Sequence, residues 1–562
     1  MFLLTIASIQ VLPRKVSSFQ PCRRVLAAHR GERISPPQKT HPYSDPSPAL
    51  YSSSTSPEVP VSKTTKPASS FPTVLLRRTS QSKSFRNGNQ LVFSKAIDRI
   101  YTAIPSETAA GSKSNKKSNS DLSLGDLVHV AVVADNASSS PPVGIGWGVY
   151  NPHSLYQIRI LVHKFLQPNL YQSILKSSGG SEIDDSDTER VIRLILHHHI
   201  QSALSLRSRA LHLPDPGRTD TYRLLNGEGD HVSGLAVDII GLHTAVVVSS
   251  AGWCERYRDI VERTLFETVV PKLENVVWKT TPSRLQQDGY ETYLQERRQL
   301  QQPSDLNQAV SSAKSEGDQD DTLVLSTENG IVYQTYPGLH GQKTGVYCDQ
   351  RDNRRLLQQY CKGKTVLDLC CYTGGFSLNA AVAGGATRCV GVDSSGPAVA
   401  MAQSNAKRNG VDHVCSFVQA DIATYLRGSS EGRPQFDVVV LDPPKLAPNA
   451  KLLDKAARKY RGLNRDAIHA VNDETGGILL TCTCSAAMTQ EDGGRYFLRM
   501  VQGAALAAGK HVTLLSVHGA AACHTASPVA FPAGAYLTAA VFYIHPKSGG
   551  SKGESTRTTS EA

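Results

Sequence analysis

Residues 365–385 read TVLDLCCYTGGFSLNAAVAGG, and the fold turns on how this stretch is divided. The apolar run TVLDLCCY suits a buried strand, TGG a tight turn, and SLNAAVAGG a helix. Glycines where a strand gives way to a helix let a ligand approach the backbone and its exposed amides. Downstream the pattern repeats as RCVGVDSS (388–395), VCSFVQAD (414–421), FDVVVLDPPK (436–445) and GGILLTCTCS (476–485), with helical segments between. Strands alternating with helices predict an α/β domain whose parallel sheet is covered on both faces.

Three of these strands end in a carboxylate, at Asp393, Asp421 and Asp442. Asp393 lies roughly 20 residues past the glycines, where an acid accepts ribose hydroxyls in nucleoside-binding sheets. Asp421 is placed to meet an adenine amine, and Asp442 stands at the ligand edge of the sheet. Taken singly, each could equally cap the helix that follows. The turn reads D-L-x-x-Y-T-G-G (Asp368, Tyr372, Thr373, Gly374, Gly375) rather than G-x-G-x-x-G. It lacks the third glycine of a pyrophosphate loop, so a nucleoside cofactor without phosphates fits better than NAD or FAD. S-adenosylmethionine (SAM) is such a cofactor.

The chain has 562 residues, enough for several domains. Its formal net charge of +11, from 60 Lys and Arg against 49 Asp and Glu, favours a polyanionic partner. No apolar run reaches the ~20 residues of a spanning helix, so no membrane partner is expected. The 11 cysteines show neither a disulfide framework nor zinc-ligand spacing, so buried free thiols and no metal are expected.

Residues 1–72 are rich in Ser, Pro and Arg and poor in acids, which predicts an organellar transit peptide or else an uncleaved tail. β-Branched runs and turn residues over 73–165 predict an all-β module. Its Gly144, Gly146 and Gly148 lead into another strand, so they are not a dinucleotide fingerprint. A helix and a small α/β unit are expected over 166–325, with His197, His198 and His199 fanning around the helix as a solvated face rather than a metal site. The Gln-rich segment 285–320 reads as an insertion loop, 326–547 as the catalytic domain, and 548–562 as a disordered tail.

In order, GQKTGVYCDQRDNR, DLCCYTGGFSLNAA, VDSSGPAVAMAQSNAKRNG, DPPK, ARKYRGLNRDAI and GGILLTCTCS resemble the class I SAM-dependent methyltransferases of the bacterial large-subunit rRNA cytosine-C5 type. The likeness spans roughly residues 75–545 apart from the Gln-rich segment. It implies a Rossmann-like methyltransferase domain preceded by an all-β PUA domain, resembled by GWGVYNPHSLYQIRIL, and a small α/β linker domain, resembled by YRLLNGEGDHVSGLAVDIIG. The implied partner is large-subunit rRNA, docked by shape and backbone contacts. A homodimer is left open, and the leader points to the chloroplast or else the mitochondrion.

Methylating cytosine C5 needs a thiolate to add at C6, because C5 alone is a weak nucleophile. With period-2 alternation, Cys482 and Cys484 share a face of their strand, Cys484 at the mouth and Cys482 one pleat deeper. Cys484 is therefore the expected nucleophile and Cys482 core, and the family's nucleophilic Cys matches Thr483-Cys484-Ser485. Asp442 is expected to hold the cytosine edge, with Pro443 stiffening its loop beside the cofactor. Lys445 could contact phosphate or simply face solvent. Of Arg458, Lys459 and Arg461 on ARKYRGLNRDAI, some would grip RNA and others face water. By resemblance, Gln350 and Arg351 help close the cofactor site. Rival readings are methylation of a guanine nitrogen (N2 or N7), which leaves Cys484 a bystander, and a non-catalytic ribosome-assembly factor.

Overall fold

A computed structural model of the chain describes residues 71–77, 84–85, 87–101, 122–132, 142–177, 185–300 (side chains to 296), 323–338, 345–428, 435–447, 450–527 and 531–547. Nearly all of the expected leader, residues 301–320 of the Gln-rich segment, and the tail 548–562 lie outside these residues. Among them no helix is long and apolar enough to cross a membrane.

Six strands form the first sheet: β1 (Thr73–Leu76), β2 (Leu91–Phe93), β3 (Ile97–Tyr101), β4 (Leu127–Val132), β5 (Val143–Tyr150) and β6 (Tyr156–His163), in the order β2-β6-β5-β4-β1-β3. The glycines of β5 serve packing. A Cβ at Gly146 would stand 2.3 Å from the Val162 carbonyl oxygen, and one at Gly148 2.6 Å from that of Arg159.

Helices α1 (Pro168–Ser177) and α2 (Asp185–Leu211) lead to a four-stranded sheet of β7 (Tyr222–Asn226), β8 (Leu235–Ile240), β9 (Thr244–Ser249) and β10 (Asn275–Thr280), ordered β10-β9-β8-β7. The histidine triplet on α2 departs from the solvated face expected of it. His199 is buried, 2.8 Å from the Leu161 carbonyl oxygen, and burial pulls its pKa down to about 3. His198 is half-buried and His197 exposed. The triplet straddles the boundary because successive helical residues point about 100° apart.

The first part of the Gln-rich segment is ordered rather than a loop, forming α3 (Pro282–Gln287) and α4 (Tyr290–Leu300). Between them Asp288 is 4 % exposed and accepts from Ser154 Oγ (2.6 Å), Arg159 Nη2 (2.9 Å) and the Gly252 amide (2.7 Å). Leu285 and Tyr293 are buried beside it. Composition favoured a solvated loop, but one buried carboxylate and two apolar anchors reverse that.

The C-terminal half begins with the hairpin β11 (Val324–Glu328) and β12 (Ile331–Thr335), followed by α5 (Arg351–Leu357). A seven-stranded sheet then comprises β13 (Thr365–Leu369), β14 (Arg388–Asp393), β15 (Cys415–Gln419), β16 (Val438–Leu441), β17 (Gly477–Thr483), β18 (Val512–His518) and β19 (Thr538–Ile544). Its order is β15-β14-β13-β16-β17-β19-β18, with β19 antiparallel to both its neighbours and the other six strands running the same way. The central strands are mostly apolar on both sides because both faces are covered. Four helices matter to the site: α6 (Gly375–Leu378), α7 (Gly396–Arg408), α8 (Ile422–Arg427) and α9 (Leu453–His469). Chain order reverses at β13, flanked by β14 and β16, and ligands bind at such a switch point beyond the carboxyl ends of the strands.

A buried ion pair within the N-terminal half also bonds to the C-terminal half. Arg207 on α2 donates to Asp230 at 2.5 and 2.8 Å and to the Cys523 carbonyl at 2.8 Å, in the connection between β18 and β19. Thr525 Oγ1 also donates to Asp230 (2.7 Å).

Candidate active site

A cavity of about 460 Å³ opens over the carboxyl ends of β13, β14, β16 and β17. Along the first turn Cys370, Tyr372 and Gly374 take φ of 65°, 49° and 84°. Left-handed backbone at two non-glycine residues costs about 1–3 kcal/mol each and clusters at functional loops. Amides of Cys370 and Cys371 both donate to the Val392 carbonyl, which pins the loop to β14.

Asp393 organises this loop. Its Oδ2 accepts from the Tyr372 amide and its Oδ1 from the Ser395 amide, each at 2.9 Å, and the residue faces the cavity. Asp421 also lines it while capping α8, with Oδ1 accepting from the Thr424 amide at 3.0 Å. Capping α8 therefore does not remove Asp421 from the cavity wall.

Asp442, Pro443 and Lys445 follow β16 and line the cavity, as does Cys484, one residue beyond the end of β17. Cys482 is fully buried and does not line it, and burial holds its thiol well above the usual range. Tyr372, Thr373, Gly375, Gln350 and Lys459 complete the expected residues found at the cavity.

Five expected site residues do not line it. Asp368 sits inside β13, fully buried, its Oδ2 accepting from the Ser377 amide (2.9 Å) and hydroxyl (2.8 Å). Burial pushes its pKa up to about 6 against the pull of those Ser377 bonds. It braces the first turn of α6 from beneath. Gly374 acts through its backbone, where a Cβ would meet the Phe417 ring at 3.0 Å. Arg351 turns away, with Nη1 donating to Cys523 Sγ at 3.3 Å. Arg458 is exposed outside the cavity, and Arg461 packs beside Gly503. Of these three expected α9 residues Lys459 alone lines the cavity, because the other two project from different faces of the helix.

Sequence reading missed the wall opposite the strand ends. Glu328 and Tyr333 come from the hairpin and Arg354 from α5, and all three line the cavity. Arg354 grips Glu328 through two 2.6 Å hydrogen bonds, both side chains buried, and donates to the Tyr347 carbonyl at 2.9 Å. Asn405 of α7 and Asn409, the residue capping its end, hold the hairpin by accepting from the Gln334 and Val332 amides at 2.8 and 3.0 Å. Tyr347 packs edge-on against Tyr372, ring centroids 5.1 Å apart, and Asp349 accepts from the Tyr536 hydroxyl at 2.8 Å. No motif spacing signals the hairpin; only the run GVYCDQR hinted at Tyr347 and Asp349.

These residues suit SAM. Ile422, Ala423 and Phe376 offer apolar surface for a purine, Asp393 and Asp421 are acceptors, and Gln350 brings an amide donor to the cavity wall. Among the described residues no cluster could hold a metal ion.

Fold and site together define a SAM-dependent methyltransferase, and residues 279–499 match the family model for S-adenosylmethionine-dependent methyltransferases. The chain is 32% identical over 464 residues to ribosomal RNA large subunit methyltransferase I of Photobacterium profundum, covering 82% of this chain and 97% of the relative. The protein of the same name from Alteromonas mediterranea is 31% identical over 396 residues, 70% of this chain and 85% of that one. The chain belongs to this ribosomal RNA large subunit methyltransferase I family. A Streptococcus mutans protein described as a SAM-dependent methyltransferase shares the fold, with TM-score 0.57 and 18% identity over 84% of this chain and all of that one.

Proposed function

We propose that this protein methylates C5 of a cytosine in large-subunit rRNA through a covalent bond between Cys484 and C6. The observation that carries this reading is the placement of Cys484 and Asp442 at neighbouring strand ends, β17 and β16, on the wall of the cavity that Asp393 also lines. SAM supplies the electrophilic methyl group. Asp393, Asp421 and Gln350 would hold it, and Tyr372, Thr373 and Gly375 would shape its bed.

In the proposed reaction the Cys484 thiolate adds to C6, and the electrons of the C5–C6 double bond become available at C5. Asp442 shares a proton with N3, taking up charge as it develops there. Once C5 carries the methyl group its proton leaves to solvent, the Cys484–C6 bond breaks, and the double bond returns. Lys445 and Lys459 stand at the cavity to meet RNA phosphate. We read the six-stranded sheet as the PUA module that docks structured RNA, and the leader as a plastid address.

The test is to incubate the chain, without its leader, with labelled SAM and unmodified large-subunit rRNA, and to resolve the product nucleosides by mass spectrometry. Label is expected in 5-methylcytidine and lost on Cys484→Ala. Label in a purine would move the chemistry to nitrogen and return Cys484 to a packing role.

A further inference from the structure

We propose that Tyr460 is a positioning residue that sets the separation of the Cys484 thiol and the Asp442 carboxylate by tying both strand ends to α9. This rests on the covalent reading above. Tyr460 is fully buried, and its hydroxyl lies where the two segments come together. Thr483 Oγ1, one residue before the nucleophile, donates to it at 3.0 Å. The amide of Leu446, which directly follows Asp442-Pro443-Pro444-Lys445, donates to it at 3.5 Å. One oxygen thus joins the segment carrying Cys484 to the segment carrying Asp442.

Strand alternation explains how the tie can avoid the chemistry. Thr481 and Thr483 project from β17 toward α9, and Cys482 projects from the other face, with Cys484 in register beyond it. Thr481 Oγ1 donates to Asn464 Oδ1 at 2.7 Å, and Asn464 Nδ2 donates to the Tyr460 carbonyl at 2.9 Å. Alternate residues of the strand are therefore gripped by one helix, and that helix presents Lys459 and Leu463 to the cavity. Beyond the nucleophile a second tie joins the same segments, Ser485 Oγ donating to the Ala447 carbonyl at 2.5 Å. Cys484 lies between two clamps.

Core packing alone does not need this hydroxyl. The ring packs edge-on to Phe497, centroids 6.2 Å apart, as a phenylalanine could. A buried hydroxyl costs free energy unless hydrogen-bonded, so its use here is the bonding. Burial pushes its pKa up to about 12, so it stays protonated while the thiol reacts.

The experiment is Tyr460→Phe, made alone and with Thr483→Val in the full chain, reading kcat and KM for RNA, SAM affinity by calorimetry, and the thermal midpoint. Misplacement of reacting groups by about 1 Å costs on the order of 100-fold, so a kcat loss of about 10–100-fold is expected, with KM and SAM affinity within about twofold. The double variant should be no slower than the slower single one, since both substitutions cut the same tie. Wild-type kcat for Tyr460→Phe, or losses that multiply in the double variant, would overturn the role. Should Tyr460→Phe not fold, Ser485→Ala reads the second clamp with the same expected kcat loss, and unchanged kcat there overturns the proposal. Cys484→Ala run beside them separates the two readings. If it still methylates, the covalent reading fails and takes this one with it. If it is inactive while Tyr460→Phe keeps full kcat, only the positioning role falls.

Discussion

Cys482 and Cys484 stand two residues apart at the end of β17 and meet opposite surroundings, Cys482 fully buried beneath the site and Cys484, just past the strand, on the cavity wall. Cys482→Ala should therefore keep the methylation product while lowering stability by about 1–2 kcal/mol, the scale of deleting a small buried group. Nucleoside mass spectrometry and a denaturant titration check the two halves of this statement. Loss of product with the fold intact would mean that Cys482 takes part in the chemistry.

Asp393 braces the turn through Tyr372 and Ser395 and faces the cavity. Asp393→Ala removes both functions, and SAM affinity should fall about 10–100-fold, which is about 1.4–2.8 kcal/mol. Calorimetric titration with SAM reads this directly. An unchanged dissociation constant would remove Asp393 from the cofactor site.

Asp368 is a buried carboxyl whose pKa of about 6 in the fold exceeds its value of 3.8 when unperturbed. A raised folded pKa means that its favourable contribution is complete below about pH 4 and is lost as pH climbs through 6. Asp368→Asn does not titrate there. Its stability relative to wild type should rise between pH 4 and 6 by up to about 3 kcal/mol and then level off. That rise should sit on a pH-independent offset from the altered Ser377 bonds. Denaturant midpoints at several pH values would show it, and a flat difference would contradict the burial argument.

Arg207 is completely buried against Asp230 and reaches from α2 to the Cys523 carbonyl. Arg207→Ala would leave Asp230 buried without its cation and should cost about 3–5 kcal/mol. Arg207→Met paired with Asp230→Leu should recover most of that loss. Thermal melts of the three proteins test whether the charged pair is needed there or an apolar pair serves as well.

Much of the catalytic sheet was legible because parallel strands buried on both faces leave mostly apolar runs, and VLDL, VGVD, VVVL and ILLTCT are such runs. Strand-end acids and the two-residue spacing of Cys482 and Cys484 carried over for the same reason, since position along a strand gives depth in the sheet. Asp288 was not legible, because a carboxylate in a Gln-rich stretch reads as solvated until Ser154, Arg159 and Gly252 are brought around it. Nor was the division among Arg458, Lys459 and Arg461, where helical phase alone does not say which face meets the cavity.

The sequence by itself determined the alternation of strand and helix, the glycine turn and the acids that follow it, because these depend on local backbone preference and burial period. Only the tertiary structure decided that Glu328 and Arg354 close the cavity from a distant hairpin and helix. It alone placed Asp368 beneath the cavity rather than in it, and put one tyrosine hydroxyl between the segments bearing Cys484 and Asp442. Those outcomes depend on contacts between residues far apart in the chain, and such contacts leave no periodicity to read.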